Sequence, residues 1–353
     1  MDAPVIGLRV GLLLTTPWVC QIIRLMMEHE AAVPTERREG ACNLCGASDA
    51  QPVFTGHDPL SGEAFPVVRC GRCGLSYVHP RPSIERLSHY YPEAYYGKRH
   101  PFFANFMNDL RVRKLPRLRG AQRLLDIGCG RGDFILRCRA RGWSVAGVEQ
   151  SHSPVIALKA ALGIDVYEPD DLASIAAESF DVVTLWHVLE HLPDPASTLA
   201  EVRRILKPGG TVLIEVPNFG GWDSRLGGPT WFHLDVPRHL FHFEREPLSR
   251  LLHGAGLTPQ RWETFSLEYD AFSVVQTLLN RLCSRPNHLF QLLIRRGHTH
   301  ARSVKDTVVS LAALPALLPL ALVVSALAAR RHAGGVLRVW AEKRGLFAVL
   351  HSE

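Results

Sequence analysis

The chain has 353 residues, 46% apolar and 21% charged, which excludes a mainly disordered polypeptide and leaves room for one large domain with additions. Its formal charge of +6, with 17 histidines uncounted, suits an acidic ligand, a membrane surface or nucleic acid and selects none of them. A chain of this size does not need its eight cysteines as disulfide staples, so closely paired ones point to metal in a reducing compartment.

Residues 1–39 read as an N-terminal extension. Its apolar start resembles a signal peptide, but Arg9 sits early, Pro17 interrupts the run and no A-x-A-like cleavage site follows. Residues 40–80 hold two near-copies, Cys42-Asn43-Leu44-Cys45-Gly46 and Cys70-Gly71-Arg72-Cys73-Gly74. Each places two thiols on a tight turn, and the glycine lets the backbone curl so that N–H groups reach sulfur. Together Cys42, Cys45, Cys70 and Cys73 make a closed four-thiolate set suited to structural Zn2+. The rival, disulfides or redox C-x-x-C pairs, lacks a thioredoxin-like βαβ context. Residues 81–120 read as a helical linker, with a short helix from about Ser83 and a second over the run beginning Phe102-Phe103.

From Gln122 short apolar strands alternate with helices. The strands are expected at Arg123–Ile127, Ser144–Glu149, Ile164–Tyr167, Asp181–Trp186 and Thr211–Val216. The helices are expected at Asp133–Arg141, Pro154–Leu162 and Pro195–Leu206, the last stopped by Lys207-Pro208-Gly209-Gly210. Near-continuously apolar strands between helices predict an α/β fold whose parallel sheet is covered on both faces. Gly128, Gly130 and Gly132 follow the first strand and open a helix, where glycines permit a sharp turn and close ligand approach. Glu149, ending the second strand, is placed to accept ribose hydroxyls. The spacing G-x-G-x-G departs from the G-x-G-x-x-G of nicotinamide enzymes.

Asp126-x-Gly128-x-Gly130-x-Gly132, the run Ser179–Pro195 and the run Ile205–Asn218 together resemble the motifs of class I S-adenosylmethionine (SAM)-dependent methyltransferases. The resemblance covers residues 121–266 and implies a Rossmann-like seven-stranded sheet. It implies that Asp126 and the backbone of Gly128, Cys129, Gly130 and Gly132 hold the methionine end of SAM. It likewise places Glu149 at the ribose, Gln150 beside the adenine, Asp170 or Asp171 at the adenine amino group, and His187 near the sulfonium. Cys129 and Cys138 read as packed small side chains rather than reactive thiols.

On the acceptor side the catalytic candidates are His187, His191, His239 and Arg238. His187 and His191 flank Glu190 after the fourth strand, and Trp231–Leu248 adds His233, Asp235, Arg238, His239 and His242. Similar D-V-P-R-H-L-x-H-F blocks occur in a methyltransferase subgroup of polysaccharide, lipid and quinone pathways. The expected activity is O-methylation of a small-molecule, lipid-linked or saccharide substrate, with His191 or His239 as general base and Arg238 orienting an anionic acceptor. A His-Glu-x-x-His zinc site is not matched, because no third ligand is suitably spaced. An rRNA or tRNA methyltransferase and a non-catalytic zinc-knuckle adaptor are the alternatives. The knuckle shows no basic stripe with interleaved aromatics, so nucleic acid is not the expected partner.

Strands six and seven are expected at Leu257–Ser266 and Val336–Ala341, strand seven antiparallel between five and six, within residues 336–345. Residues 267–335 then form a hydrophobic helical insertion between strands six and seven. Its run Thr307–Ala329 is about 23 residues without a charge, long enough to span a bilayer. A single crossing would separate two paired strands, and basic residues flank both ends: Arg295, Arg296, Arg302 and Lys305 before, Arg330 and Arg331 after. Pro315 and Pro319 mark the place for a re-entrant bend or a kink. The expectation is a cytoplasmic protein, peripheral or re-entrant on the membrane, with helices packed on the protein or across a homodimer as the alternative.

Overall fold

The computed structural model describes residues 41–91, 101–116, 122–149, 163–267, 269–293 and 303–344. The N-terminal extension, Gln150, the helix expected over 154–162, and Arg295, Arg296 and Arg302 lie outside them.

The strands are β1 Ala50–His57, β2 Ala64–Cys70, β3 Ser76–Val78, β4 Arg123–Ile127, β5 Ser144–Val148, β6 Asp165–Tyr167, β7 Phe180–Trp186, β8 Leu206–Pro217, β9 Phe241–His242, β10 Leu257–Glu263 and β11 Val336–Lys343. The helices, in chain order, are α1 Ile84–Ser88, α2 Pro101–Val112, α3 Asp133–Arg139, α4 Pro195–Ile205, α5 Trp222–Gly227, α6 Arg245–Gly254, α7 Asp270–Leu282, α8 His288–Leu293 and α9 Val304–Arg330.

A seven-stranded sheet has the order β10-β11-β8-β7-β4-β5-β6. Strands β4 to β8 pair in parallel, and β11 runs antiparallel between β8 and β10. This is the α/β sheet that the alternation predicts, with the final strand inserted as expected. The central strands are buried on both faces, Leu124, Leu125, Val182, Val183, Leu213 and Ile214 showing no exposure, so their sequences are apolar without alternation. Asp194 caps α4 by accepting N–H bonds from Ala196 and Ser197, with Pro195 at the first turn, where its missing donor costs nothing. Strand β8 starts earlier than expected: Lys207-Pro208-Gly209-Gly210 lies within it.

The four-cysteine segment builds a second sheet, ordered β1-β2-β3-β9. Its last strand comes from the histidine-rich block: Ser76 pairs with His242 and Tyr77 with Phe241. The cysteine module is therefore continuous with the acceptor side of the main sheet. One cluster of buried apolar side chains spans both, from Cys42, Leu75 and Tyr77 to Leu185, Leu240 and Leu248.

In the insertion, α7 packs against the 222–232 block. Thr277 Oγ1 accepts the Phe232 N–H at 3.1 Å, and Ser273 donates to Asp223. Helix α9 lies on α7 through Ser310, Ala321, Ser325 and Ala328. The expected re-entrant bend is not formed: α9 runs unbroken through Pro315 and Pro319. The Ala- and Leu-rich flanks have high helix propensity and the helix is braced along α7, which carries it past two missing donors.

Candidate active site

The loop after β4 turns on three glycines in the left-handed region, with φ of 75° at Gly128, 57° at Gly130 and 77° at Gly132. Gly128 is required twice over, because a Cβ there would also lie 2.5 Å from Cγ2 of Val188. At Gly130 a Cβ would meet nothing within 4 Å, so that face of the turn is open. Glu149 follows β5 and is buried, and its Oε2 accepts the Gly130 N–H at 2.7 Å.

Asp126 is buried at the end of β4 and accepts the Thr184 hydroxyl at 2.6 Å. Burial pushes its carboxyl up to about 7, against Thr184 and Arg111. A cation arriving there would restore its charge. The open turn, two buried acids and helix α3 beginning at Asp133 fit SAM: Asp126 suits the ammonium of its methionine end and Glu149 its ribose hydroxyls.

Cys129 and Cys138 are buried, and burial raises both thiols, so they pack rather than react. Asp171 is exposed, accepts the Glu168 N–H at 3.2 Å and caps the 310 helix Pro169–Ser174. Asp170 follows Pro169 in the same turn. Gln150 lies outside the described residues.

The histidine cluster adjoins the glycine turn through Val188. His187 sits at φ 54°, a strained conformation for a non-glycine residue. Its ring is held between Glu190, 3.3 Å from Nδ1, and Glu215, 3.2 Å from Nε2. Burial works against its charge, but Tyr269 and the two carboxylates outweigh it and raise the His187 pKa well above the ordinary value. Glu215 falls to about 2: Arg338 and His187 overcome its burial. His187 is thus an imidazolium staple between two acids, which disqualifies it as a proton acceptor.

His191 and His239 differ. Their rings meet edge to face at 4.6 Å. His191 Nδ1 lies 3.0 Å from the Arg238 carbonyl, and His239 Nδ1 lies 2.8 Å from the His233 carbonyl. A carbonyl only accepts, so each ring carries a proton on Nδ1. Burial and neighbouring His239 push His191 down to about 4, so it is neutral at physiological pH.

The Glu190 carboxylate is buried beside His187 with no further hydrogen-bond partner among the described residues, and ligand atoms of Glu190, His191 and His239 lie within 4.8 Å of one another. The third ligand that local spacing lacked comes from the distant 231–248 block, so this trio could hold a metal ion as well as move a proton.

Arg238 is corrected. It is completely buried, donating to Asp58 at 2.7 Å, to Asp235 at 2.6 Å and to the Tyr90 carbonyl at 2.9 Å. It ties the cysteine module to the acceptor block and presents no donor to a substrate. Asp58, Tyr91, which lies 3.1 Å from His191 Nδ1, and Tyr269, edge to face with His187 at 4.6 Å, are site neighbours that sequence reasoning missed. Their partners are too distant in the chain for any local pattern to reveal them.

In the knuckle all four sulfurs lie within 4.8 Å of one another. Cys42 and Cys73 are separated by 3.4 Å, Cys45 and Cys70 by 3.5 Å. Disulfide sulfurs sit about 2.05 Å apart, whereas four thiolates about 2.3 Å from one tetrahedral ion fall close to the observed spacing. The N–H groups of Leu44 and Cys45 point at the Cys42 sulfur, and those of Arg72 and Cys73 at Cys70. Gly46 and Gly74 take left-handed φ of 70° and 76°, which allows that curl. The donor set fits zinc.

The sheet order, the inserted antiparallel strand and the glycine turn facing a buried acid are the Rossmann-like seven-stranded arrangement that the resemblance to class I SAM-dependent methyltransferases implies. Residues 98–261, a little under half of the chain, match the family described as "Methyltransferase domain". A ubiquinone biosynthesis O-methyltransferase of Hahella chejuensis is 36% identical over 104 residues, 28% of this chain and 44% of that protein. Its counterpart in Pseudomonas aeruginosa LESB58 is 34% identical over 121 residues, 32% of this chain and 52% of that protein. The chain thus spans about half the length of the curated relatives it matches. Among solved structures, a SAM-dependent methyltransferase from Archaeoglobus fulgidus is 22% identical, with a TM-score of 0.43 over 68% of this chain and 94% of that one.

Proposed function

We propose that the protein is a SAM-dependent O-methyltransferase of a small hydroxylated acceptor, with a structural zinc in its cysteine module. The observation that carries this is the contact between the two halves of the site: Gly128 packs so closely on Val188 that the glycine turn abuts the strand end bearing His187, Glu190 and His191. The relatives' O-methyltransferase names support the atom methylated.

When bound, SAM supplies an activated methyl group. The chain's own task is to align a hydroxyl and accept its proton. The Nε2 of His191 or His239 is the proton acceptor, since both rings carry their proton on Nδ1, while charged His187 fixes Glu190 and Glu215 around them. Asp126 and the glycine turn hold the methionine end, and Glu149 the ribose. Helix α9, long and apolar enough by composition to enter a bilayer, lies flat on a membrane surface and brings the site to a lipid-linked acceptor.

Calorimetry tests the cofactor pocket. Asp126→Ala and Glu149→Ala are each expected to weaken SAM binding by at least about tenfold, the loss of one charge-assisted contact. Undiminished binding in both variants sinks the assignment.

A further inference from the structure

Beside the cofactor pocket runs a second cavity of about 680 Å3, between α2 and the face of β8, β11 and β10. That volume is in the range of a ligand site and far larger than the voids a packed interior tolerates. Its floor descends from Glu215 and Arg338, paired across β8 and β11, to Thr211 and Glu342, paired at the other end. That is roughly 13 Å along the strands. The upper end is therefore the acceptor side, where Glu215 holds His187.

The lining is unevenly charged. Arg111, Arg113, Lys114, Arg261 and Arg338 face Glu215 and Glu342. One further carboxylate, Glu263, serves three of these cations at once: Lys114 at 2.7 Å, Arg338 at 2.7 Å, and Arg261. Glu215 is shared between Arg338 and His187. Arg113 is exposed and has no carboxylate partner among the described residues. The cavity thus keeps surplus positive charge around Arg113, Lys114 and Arg261. Apolar groups lie beside it: Trp340, buried beneath the Arg261 guanidinium 4.6 Å from its ring centroid, and at the upper mouth Phe265 and Leu267, 42% and 61% exposed.

We infer that this groove binds a phosphate-bearing amphiphile, its anion seated among Arg113, Lys114 and Arg261 and its apolar part lying against Phe265 and Leu267 at the upper mouth. Guanidinium groups match phosphate oxygens bidentately, and a low-dielectric wall such as the Trp340 ring strengthens the attraction. The pairing of charged seat and apolar exit selects an amphiphile over a free anion. That this ligand is the acceptor itself rests on the methyltransferase reading; its binding does not.

The test uses the full chain and dodecyl phosphate below its micelle concentration, with inorganic phosphate and dodecyltrimethylammonium as comparators, read by calorimetry. Dodecyl phosphate is expected to bind once per chain, tighter than either comparator by about tenfold or more. In Arg113→Gln/Arg261→Gln its affinity falls at least about tenfold, while SAM affinity, measured on the same samples, stays unchanged and reports an intact fold. Equal affinity for wild type and variant, or for anionic and cationic amphiphiles, overturns the inference. Loss of SAM binding in wild type would instead remove the methyltransferase reading and leave the groove standing. A free-phosphate ligand would show as inorganic phosphate binding as tightly as the amphiphile, which overturns the amphiphile assignment.

Discussion

At the scale of single residues, five histidines that look alike in the sequence divide into three kinds. His187 is charged by two flanking carboxylates, His191 and His239 turn Nδ1 to backbone carbonyls, and His233 and His242 are neutral packing groups. Burial brings His233 and His242 both to about 3. His242 gives the cleanest pH test. In the fold it stays unprotonated until about pH 3, whereas in the unfolded chain it takes up a proton below about 6.5. Its folded pKa is depressed, so wild type loses stability from this residue as pH falls from 6.5 toward 3, by about 1.4 kcal/mol per pH unit. His242→Gln lacks that loss. Urea denaturation at pH 6.5 and 5.0 is expected to show the wild-type advantage over the variant shrinking by about 2 kcal/mol. A constant gap would mean that His242 is solvated or paired in the fold. The cluster was legible as a concentration of histidines near two strand ends. Its division of labour was not, because each role is set by partners far along the chain, such as Glu215 for His187 and the His233 carbonyl for His239.

At the scale of elements, the regular part of the fold was written locally. The strands β4, β5 and β7 fall close to their expected bounds because buried parallel strands are largely apolar, and antiparallel β11 begins where expected, after Gly334 and Gly335. Three features were not legible. Strand β9 has two residues and exists only because β3 is there to pair with it. Helix α9 ignores two prolines that read as a bend, since tertiary support along α7 overrides local propensity. Arg238 looked like an acceptor-binding cation until Asp58 of the cysteine module was placed against it. Strand β9 and Arg238 together couple the knuckle to the acceptor block. About one zinc per chain is expected by elemental analysis, as a closed four-thiolate site requires. On stripping the metal with a chelator, amide exchange should accelerate over Ser76–Val78 and also over Phe241–His242, while β4, β7 and β8 stay protected. Absence of zinc in protein purified without chelator, or exchange that rises in the 42–73 segment alone, would refute the coupled module.

The whole molecule is lopsided. One end of α9 is fastened near α7's C-terminus, where Asp306 accepts the Ser284 N–H at 3.0 Å and His288 meets Thr307 at 2.9 Å. The other end leads straight into β11, with the Trp222 N–H bonded to the Ala333 carbonyl at 2.9 Å. A helix of 27 residues is about 40 Å long, and with both ends tied to one domain it lies along the surface instead of threading a bilayer. Its outward side carries Val308, Leu311, Leu318, Leu322, Val323 and Leu327, all at least 44% exposed. A contiguous apolar strip of that length is uncommon on a soluble monomer and marks a contact surface. Lys305 precedes it and Arg330 and Arg331 follow it, cations on either side of an exposed apolar strip, a pattern suited to anionic headgroups. The full chain is therefore expected to float with vesicles containing anionic phospholipid and to bind them less as salt is raised. Leu318→Gln/Leu322→Gln/Val323→Gln alters only exposed positions, so it should fold, bind SAM normally and stay in the soluble fraction. If wild type ignores the vesicles but sediments as a dimer that the triple variant dissociates, the strip is a self-association face and the membrane reading fails. If wild type is a monomer that ignores vesicles, both readings fail.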